Sequence, residues 1–379
     1  MAGVLVRIRR TTFSPFSLVS FRPRTTGGHQ TLRIQDDGEL ARISGTPGVE
    51  IERVWGNRNF TFPYVPDISA VGEVKKQANW GAEWLDVESI WRAAGRGSGI
   101  RVGIADSGAD VSHPALSKAR VAAFVDIDRQ TGERRNTTPY DSGWHGTFCL
   151  SVLCGSEPDG MARGIAPDAD MYIAKALDGW NGSVFSIQSA LEWFYEEKCK
   201  IVSLSVGWPG LHDEWSDAIR ALVEEGCIVF AGIGNSFGGD FPTISPANYP
   251  ESLVVGVGAH DQSGTVWHRS GGDVIGWSES SVYAGMGSYV APDCVFPGAA
   301  VVGPSPDRKY RIESGTSFAA PHAAGLAACL WSAFPNVEAQ EILSLIGGGF
   351  EDAGKVGPDI RYGAGIFSPG KLVNRLQTK

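Results

Sequence analysis

No Cys-x-x-Cys pair occurs among the six cysteines, Cys149, Cys154, Cys199, Cys227, Cys294 and Cys329. A zinc ribbon or a dithiol redox motif needs such close spacing, so neither has support. Long apolar runs are also missing. None approaches the ~20 residues that a membrane span needs, which excludes a membrane partner of that kind. A secretion signal is wanting too: residues 13–21 come nearest to its apolar stretch but contain Pro15 and three serines, run into Arg22 and Arg24, and reach no small-x-small cleavage site. Free thiols and a cytoplasmic location are therefore expected, although an Arg- and Ser/Thr-rich, acid-poor start is also the composition of an organellar targeting sequence. Positive charge is in short supply, with 33 Lys and Arg against 42 Asp and Glu for a net −9. Six arginines (7, 9, 10, 22, 24 and 33) and no acid fall within the first 34 residues, so subtracting six from −9 leaves −15 on the rest. An acidic body lacks the clustered cations that phosphate contacts require, and no nucleic-acid partner is expected.

What the chain does have is a 42% apolar content over 379 residues, enough for one large buried core and an additional segment. From about residue 100, short apolar runs alternate with amphipathic stretches. Residues 100–105, 170–176, 201–206, 227–231 and 252–257 read as buried strands. Residues 185–197, 214–225, 318–331 and 337–345 read as helices, the first with Ile187, Ala190, Leu191 and Phe194 on one stripe. Strands separated by helices imply an α/β fold, a parallel sheet flanked by helices on both faces, with its active site at the carboxyl ends of the strands. Residues 1–75 differ. Val4, Val6 and Ile8 alternate with Leu5, Arg7 and Arg9, and a short helix is expected at 39–44. This reads as a small α+β segment, joined by a linker at 64–76 to a main domain over residues 76–379.

Three stretches carry chemistry. Ile104-Ala105-Asp106-Ser107-Gly108 places an acid at a strand end, Trp144-His145-Gly146-Thr147 a histidine at a helix start, and Ser314-Gly315-Thr316-Ser317-Phe318-Ala319-Ala320-Pro321-His322 a serine at the mouth of an apolar helix. Each alone is an ordinary turn or cap. Together they answer a chemical need: a serine hydroxyl is a weak nucleophile that requires a base, and the base requires an acid to hold its tautomer. With these motifs in this order, residues 78–345 resemble the subtilisin-like serine proteases (subtilases). The resemblance implies Ser317 as nucleophile, His145 as general base and acid, and Asp106 as the orienting carboxylate. It implies Asn235, in Ala231-Gly232-Ile233-Gly234-Asn235, as an oxyanion-hole donor beside the Ser317 N–H.

The same resemblance places a substrate cleft along residues 177–184, with Gly179, Trp180 and Gly182, and along Ser205, Val206 and Gly207; Ile244 falls at the floor of the primary pocket, where it implies restriction. Cys149, after Phe148, resembles the proteinase K-like branch, in which a thiol lies beneath the catalytic histidine. Ala115 stands where many members carry a calcium-binding aspartate, and residues 155–163 lack their Asn-rich calcium loop, so that calcium site is expected to be missing, other calcium sites staying open; no metal ligand is assigned and no cofactor is expected. Pro47-Gly48-Val49-Glu50-Ile51-Glu52 resembles a strand of subtilase propeptides, and residues 1–75 are expected to inhibit the main domain intramolecularly. The leading expectation is an endopeptidase acting on peptide or protein substrates. A dedicated maturation or regulatory protease for one partner or leader peptide is the alternative, and a dead binding scaffold has no use for all four groups.

Overall fold

The computed structural model describes residues 3–10, 29–34, 36–45, 49–61, 79–156, 161–280, 282–306 and 308–377. The expected linker at 64–76 and the apolar stretch at 13–21 lie outside them.

β1 (Val4–Arg10), β2 (His29–Ile34), α1 (Asp37–Ser44) and β3 (Val49–Gly56) form a small unit, an antiparallel sheet in the order β2-β1-β3 with one helix against it. The alternation read from the sequence sorts its two faces. Val6, Ile8, Leu32 and Ile34 pack with Ile43 of the helix. Leu5 and Trp55 face the other way, onto Val184 and Phe185 of the main domain. Asp36 starts the helix by accepting the Glu39 N–H. The strand β4 (Asn59–Thr61) then departs toward the main domain.

That domain runs through α2 (Trp80–Trp84), α3 (Val87–Ala94), β5 (Arg101–Asp106), β6 (Arg120–Ile127), β7 (Arg134–Asn136), α4 (His145–Cys154), β8 (Asp170–Lys175), β9 (Asn181–Ser183), α5 (Val184–Glu196), β10 (Ile201–Leu204), β11 (Trp208–Pro209), α6 (Ser216–Glu224), β12 (Ile228–Gly232), β13 (Ile244–Ser245) and β14 (Val254–His260). It continues through β15 (Asp273–Gly276), β16 (Ser288–Ala291), β17 (Cys294–Pro297), β18 (Val301–Ser305), β19 (Lys309–Glu313), α7 (Thr316–Ala333), α8 (Ala339–Gly347), β20 (Phe350–Glu351), β21 (Ile366–Phe367) and α9 (Pro369–Gln377).

Ten strands make one sheet, β20-β21-β17-β14-β12-β10-β5-β8-β6-β7. The eight from β21 to β6 are parallel, and β20 and β7 close the edges antiparallel. This is the expected α/β architecture. Helices α3, α4, α7 and α8 bury one face and α5 and α6 the other. Both faces being covered explains strands such as Ile201-Val202-Ser203-Leu204, every residue of which is buried. Helix α7 is apolar all round because it is buried all round, and its alanines let it lie close to the sheet. Ser183 caps α5 in a reciprocal capping box with Ser186.

Two elements are shorter than their sequence periodicity. The helix expected at 214–225 starts at Ser216, because Asp213 and Glu214 are taken up by Arg53 and Arg58 of the first unit. The strand expected at 201–206 ends at Leu204, where the backbone turns aside at Ser205.

Phe194 of α5 is fully buried over Gly103 of β5, where a methyl group on the glycine would lie 2.6 Å from its ring. Phe194→Ala is expected to lower stability by about 3–5 kcal/mol. Urea unfolding measures it, and a loss under about 1 kcal/mol would mean that this face repacks freely.

Candidate active site

Asp106 is the last residue of β5 and is 0% exposed. Its carboxylate accepts the Ser107 N–H at 2.7 Å and the His145 Nδ1–H, with that nitrogen 2.9 Å from either oxygen. His145 opens helix α4. Its approach to the strand end depends on the absence of side chains. A methyl group on Gly146 would overlap the Gly108 carbonyl oxygen, and Gly108, at φ +120°, leaves room for the Tyr140 carbonyl. The Gly146 N–H donates to Ser107 Oγ at 3.0 Å.

The imidazole is enclosed by rings, with Trp180 at 5.2 Å, Phe318 at 5.7 Å and Trp144 at 5.8 Å between centroids. One turn along α4, Cys149 Sγ lies 3.8 and 3.9 Å from the two ring nitrogens. Burial favours the neutral imidazole, but the Asp106 carboxylate and the Cys149 sulfur together outweigh it and hold the His145 pKa well above 6.5. Burial pushes the Cys149 thiol up, so it stays protonated near neutral pH. Ligand atoms of Asp106, His145 and Cys149 fall within 4.8 Å of one another, as a metal site would need, but the carboxylate-imidazole hydrogen bond already engages two of the three groups.

Ser317 is the second residue of α7 and is half-buried. Its N–H belongs to the first turn, where the helix supplies no acceptor. Its carbonyl is also left without a helical donor, because the residue four positions on is Pro321, which has no N–H. Ser205 Oγ donates to that carbonyl at 2.6 Å and Cys149 Sγ at 3.4 Å. The Ser317 hydroxyl lies 3.5 Å from the Ser205 carbonyl oxygen. Asn235, just past β12, uses Oδ1 to accept the Thr316 N–H at 2.9 Å and the Thr316 hydroxyl at 3.0 Å. That fixes the amide and leaves Nδ2 as its outward donor.

The residues expected to line a substrate cleft fall into two groups. The Gly179 N–H donates to Ser142 Oγ at 2.9 Å, and Trp180 covers the imidazole. Gly182 is paired with Phe60 of β4, so this edge is occupied by the protein's own strand. Ser205, Val206 and Gly207 follow β10 on the far side of Ser317, and Ile244 packs against Gly207. The sequence reading did not name Ser142, and named Ser107, Thr316 and Pro321 only as parts of motifs, without a role of their own. A proline five residues into an otherwise regular helix was the visible signal for the last.

A buried carboxylate, an imidazole and a serine at a helix start, all at the carboxyl edge of a parallel sheet, are the groups that a serine hydrolase of the α/β type uses. Residues 97–365 match the model of the subtilase family, and the chain belongs to that family. It is a subtilisin-like serine protease. The chain is 29% identical over 277 residues to the major intracellular serine protease of Bacillus subtilis (strain 168), covering 71% of this chain and 79% of that one. It is 28% identical over 292 residues to subtilisin DY of Bacillus licheniformis, covering 76% and 96%. To the intracellular serine protease of Paenibacillus polymyxa it is 29% identical over 257 residues, covering 66% and 72%.

The imidazole of His145 is expected to titrate above 6.5, because a cation beside a buried carboxylate loses its proton later. Proton NMR of the downfield Nδ1–H resonance reads this directly. Asp106→Asn removes the main raising cause, and the midpoint should fall. A native midpoint at or below 6.5 would mean that burial, not Asp106, governs the ring.

Proposed function

We propose that the protein is an endopeptidase in which Ser317 attacks the peptide carbonyl. His145 takes the serine proton and gives it to the leaving amine, and Asp106 holds the imidazole and stabilises its cation. Water then deacylates the enzyme by the same route in reverse. Asn235 Nδ2 and the Ser317 N–H stabilise the tetrahedral oxyanion. The observation that carries this reading is the 2.9 Å hydrogen bond between buried Asp106 and His145 at the same sheet edge as the Ser317 helix start. A cytoplasmic location is part of the reading, supported by two relatives described as intracellular. Among the described residues, no helix is long and apolar enough to cross a membrane.

Ser317→Ala should abolish peptide hydrolysis without unfolding the protein, since one hydroxyl near a helix start contributes only about 1 kcal/mol. Asn235→Ala should cut kcat by about 10²–10³, the usual cost of removing one oxyanion-hole donor. Turnover of a chromogenic peptide by the purified variants is the measurement. Unchanged hydrolysis in Ser317→Ala would end the assignment.

The division at about residue 75 also belongs to this proposal, with residues 1–75 as a propeptide-like or regulatory segment that inhibits residues 76–379. Two observations support it. β4 pairs with β9, Asn59 opposite Ser183, Phe60 opposite Gly182 and Thr61 opposite Asn181, on the edge expected to receive substrate. Four arginines of the first unit also meet acids of the main domain: Arg7 at 3.6 Å from Asp217, Arg33 at 3.1 Å from Glu192, Arg53 at 2.9 Å from Asp213, and Arg58 beside Glu214. In the full chain, Arg33→Glu is expected to raise the initial rate of peptide hydrolysis and to weaken its dependence on salt. An unaltered rate and salt profile would make the docking irrelevant to activity.

A further inference from the structure

We propose that Lys175 is a positioning residue for the reaction: its charge, one strand away from Asp106, sets the pH at which His145 gives up its proton, and Asp126 on the next strand pulls the other way. The inference rests on His145 being the general base and deepens that reading by naming what regulates it.

The sheet register puts the three charges together. β8 lies between β5 and β6, with Lys175 opposite Asp106 on one side and opposite Asp126 on the other. Asp106 and Lys175 end their strands, and Asp126 is one residue from the end of its own. Alternation then decides which way each side chain points. Two residues earlier on each strand, Ile104, Ile173 and Phe124 pack on the face that α4 covers, whereas Ala105, Ala174 and Val125 pack on the opposite face. Asp106, Lys175 and Asp126 therefore form one row across three adjacent strands, under the helix that His145 opens.

Lys175 is 6% exposed. The Asp106 oxygens already accept from Ser107 and His145, and the ammonium turns to Asp126, with Nζ 3.2 Å from Oδ1 and 5.2 Å from the centre of the Tyr140 ring. The Tyr140 hydroxyl donates to Asp126 Oδ2 at 2.7 Å. Burial and Asp126 push that phenol up to about 12, so it adds no charge at neutral pH. A covered ammonium beside the His145–Asp106 pair is poorly screened and disfavours the imidazolium. The Asp126 carboxylate favours it. Removing either charge unmasks the other. The remaining charged or titratable groups around the ring stay in place: Asp106, the Cys149 thiol, Asp141 bonded to Gly143 and Thr147, Asp110 bonded to Ser112, Asp178 facing Arg129, and Arg311, which lies on the Trp144 ring and pairs with Glu313.

The test uses the full chain, with a peptide p-nitroanilide for the pH profile of kcat/KM and the downfield Nδ1–H resonance for His145 itself. Lys175→Met should raise both midpoints by about half a pH unit, which cuts kcat/KM on the acid limb about threefold and the plateau by less than about twofold. Asp126→Asn should lower both midpoints by a similar amount, and Lys175→Arg, which keeps the charge, should hold the native values. Side chains that merely kept the strand ends in order would move the two midpoints in the same direction or depress the plateau. Opposite shifts support the proposal, and shifts of one sign, or none, overturn it. Should Lys175→Met fail to fold, Asp126→Asn decides alone: a fall in the midpoint supports the proposal and a native midpoint overturns it. A resonance that moves while the acid limb stays would instead overturn the reading of His145 as the general base.

Discussion

Pro321 has no N–H to offer the Ser317 carbonyl four residues before it, so that oxygen must find donors outside its own helix. It finds Ser205 Oγ, from the turn after β10, and Cys149 Sγ, from helix α4. One missing hydrogen bond thereby joins three elements at the serine. Helix α7 is held against the end of β10 on one side and against the helix that carries His145 on the other. Thr316 extends the same logic, bonding Asn235 and Gly234 beyond β12. The Ser317 backbone and the Asn235 amide are consequently fixed through neighbours that are themselves packed, which favours chemistry that depends on oriented contacts.

The Asp106 and His145 pair imposes the second condition. A carboxylate at 0% exposure is tolerable only with hydrogen-bond donors around it, and Ser107 N–H and His145 Nδ1–H supply them. Glycine at 108 and 146 lets the backbones come close enough. The aromatic enclosure by Trp180, Phe318 and Trp144 then does two opposing things. It excludes water, which disfavours the imidazolium, and it strengthens the pull of Asp106 by lowering the local dielectric. The raised pKa of His145 is the outcome of that contest.

The fold was legible from residue 100 onward because burial on both faces writes strands as unbroken apolar runs, as at Ile201-Val202-Ser203-Leu204. The site was legible because His145-Gly146 and Gly315-Thr316-Ser317 combine reactive groups with the small residues their geometry demands. Helix α6 was drawn too early because Asp213 and Glu214 look like first-turn acids, and only the arginines of a distant segment reveal their other use. The coverage of Gly182 by Phe60 could not be read at all. It depends on strands 120 residues apart meeting in register, and nothing local in Asn59-Phe60-Thr61 specifies its partner.

The contact between the first unit and the main domain differs from a surface of scattered ion pairs. Glu192, Asp213, Glu214 and Asp217 are 2–5% exposed. Carboxylates so deeply covered are costly without partners, and breaking a buried pair by removing one member typically costs about 3–5 kcal/mol. Exposed pairs contribute at most about 1 kcal/mol. Arg7, Arg33, Arg53 and Arg58 are therefore required by the very burial they help to create. Undocking would have to rehydrate all four acids together while exposing Leu5, Trp55 and Phe60, which rest on Val184, Phe185 and the region of Trp208 and Trp215. Screening by salt reaches the first of these terms and leaves the second nearly untouched. A segment held this way should yield as a unit, with its β4 strand leaving β9 only when the whole surface lets go.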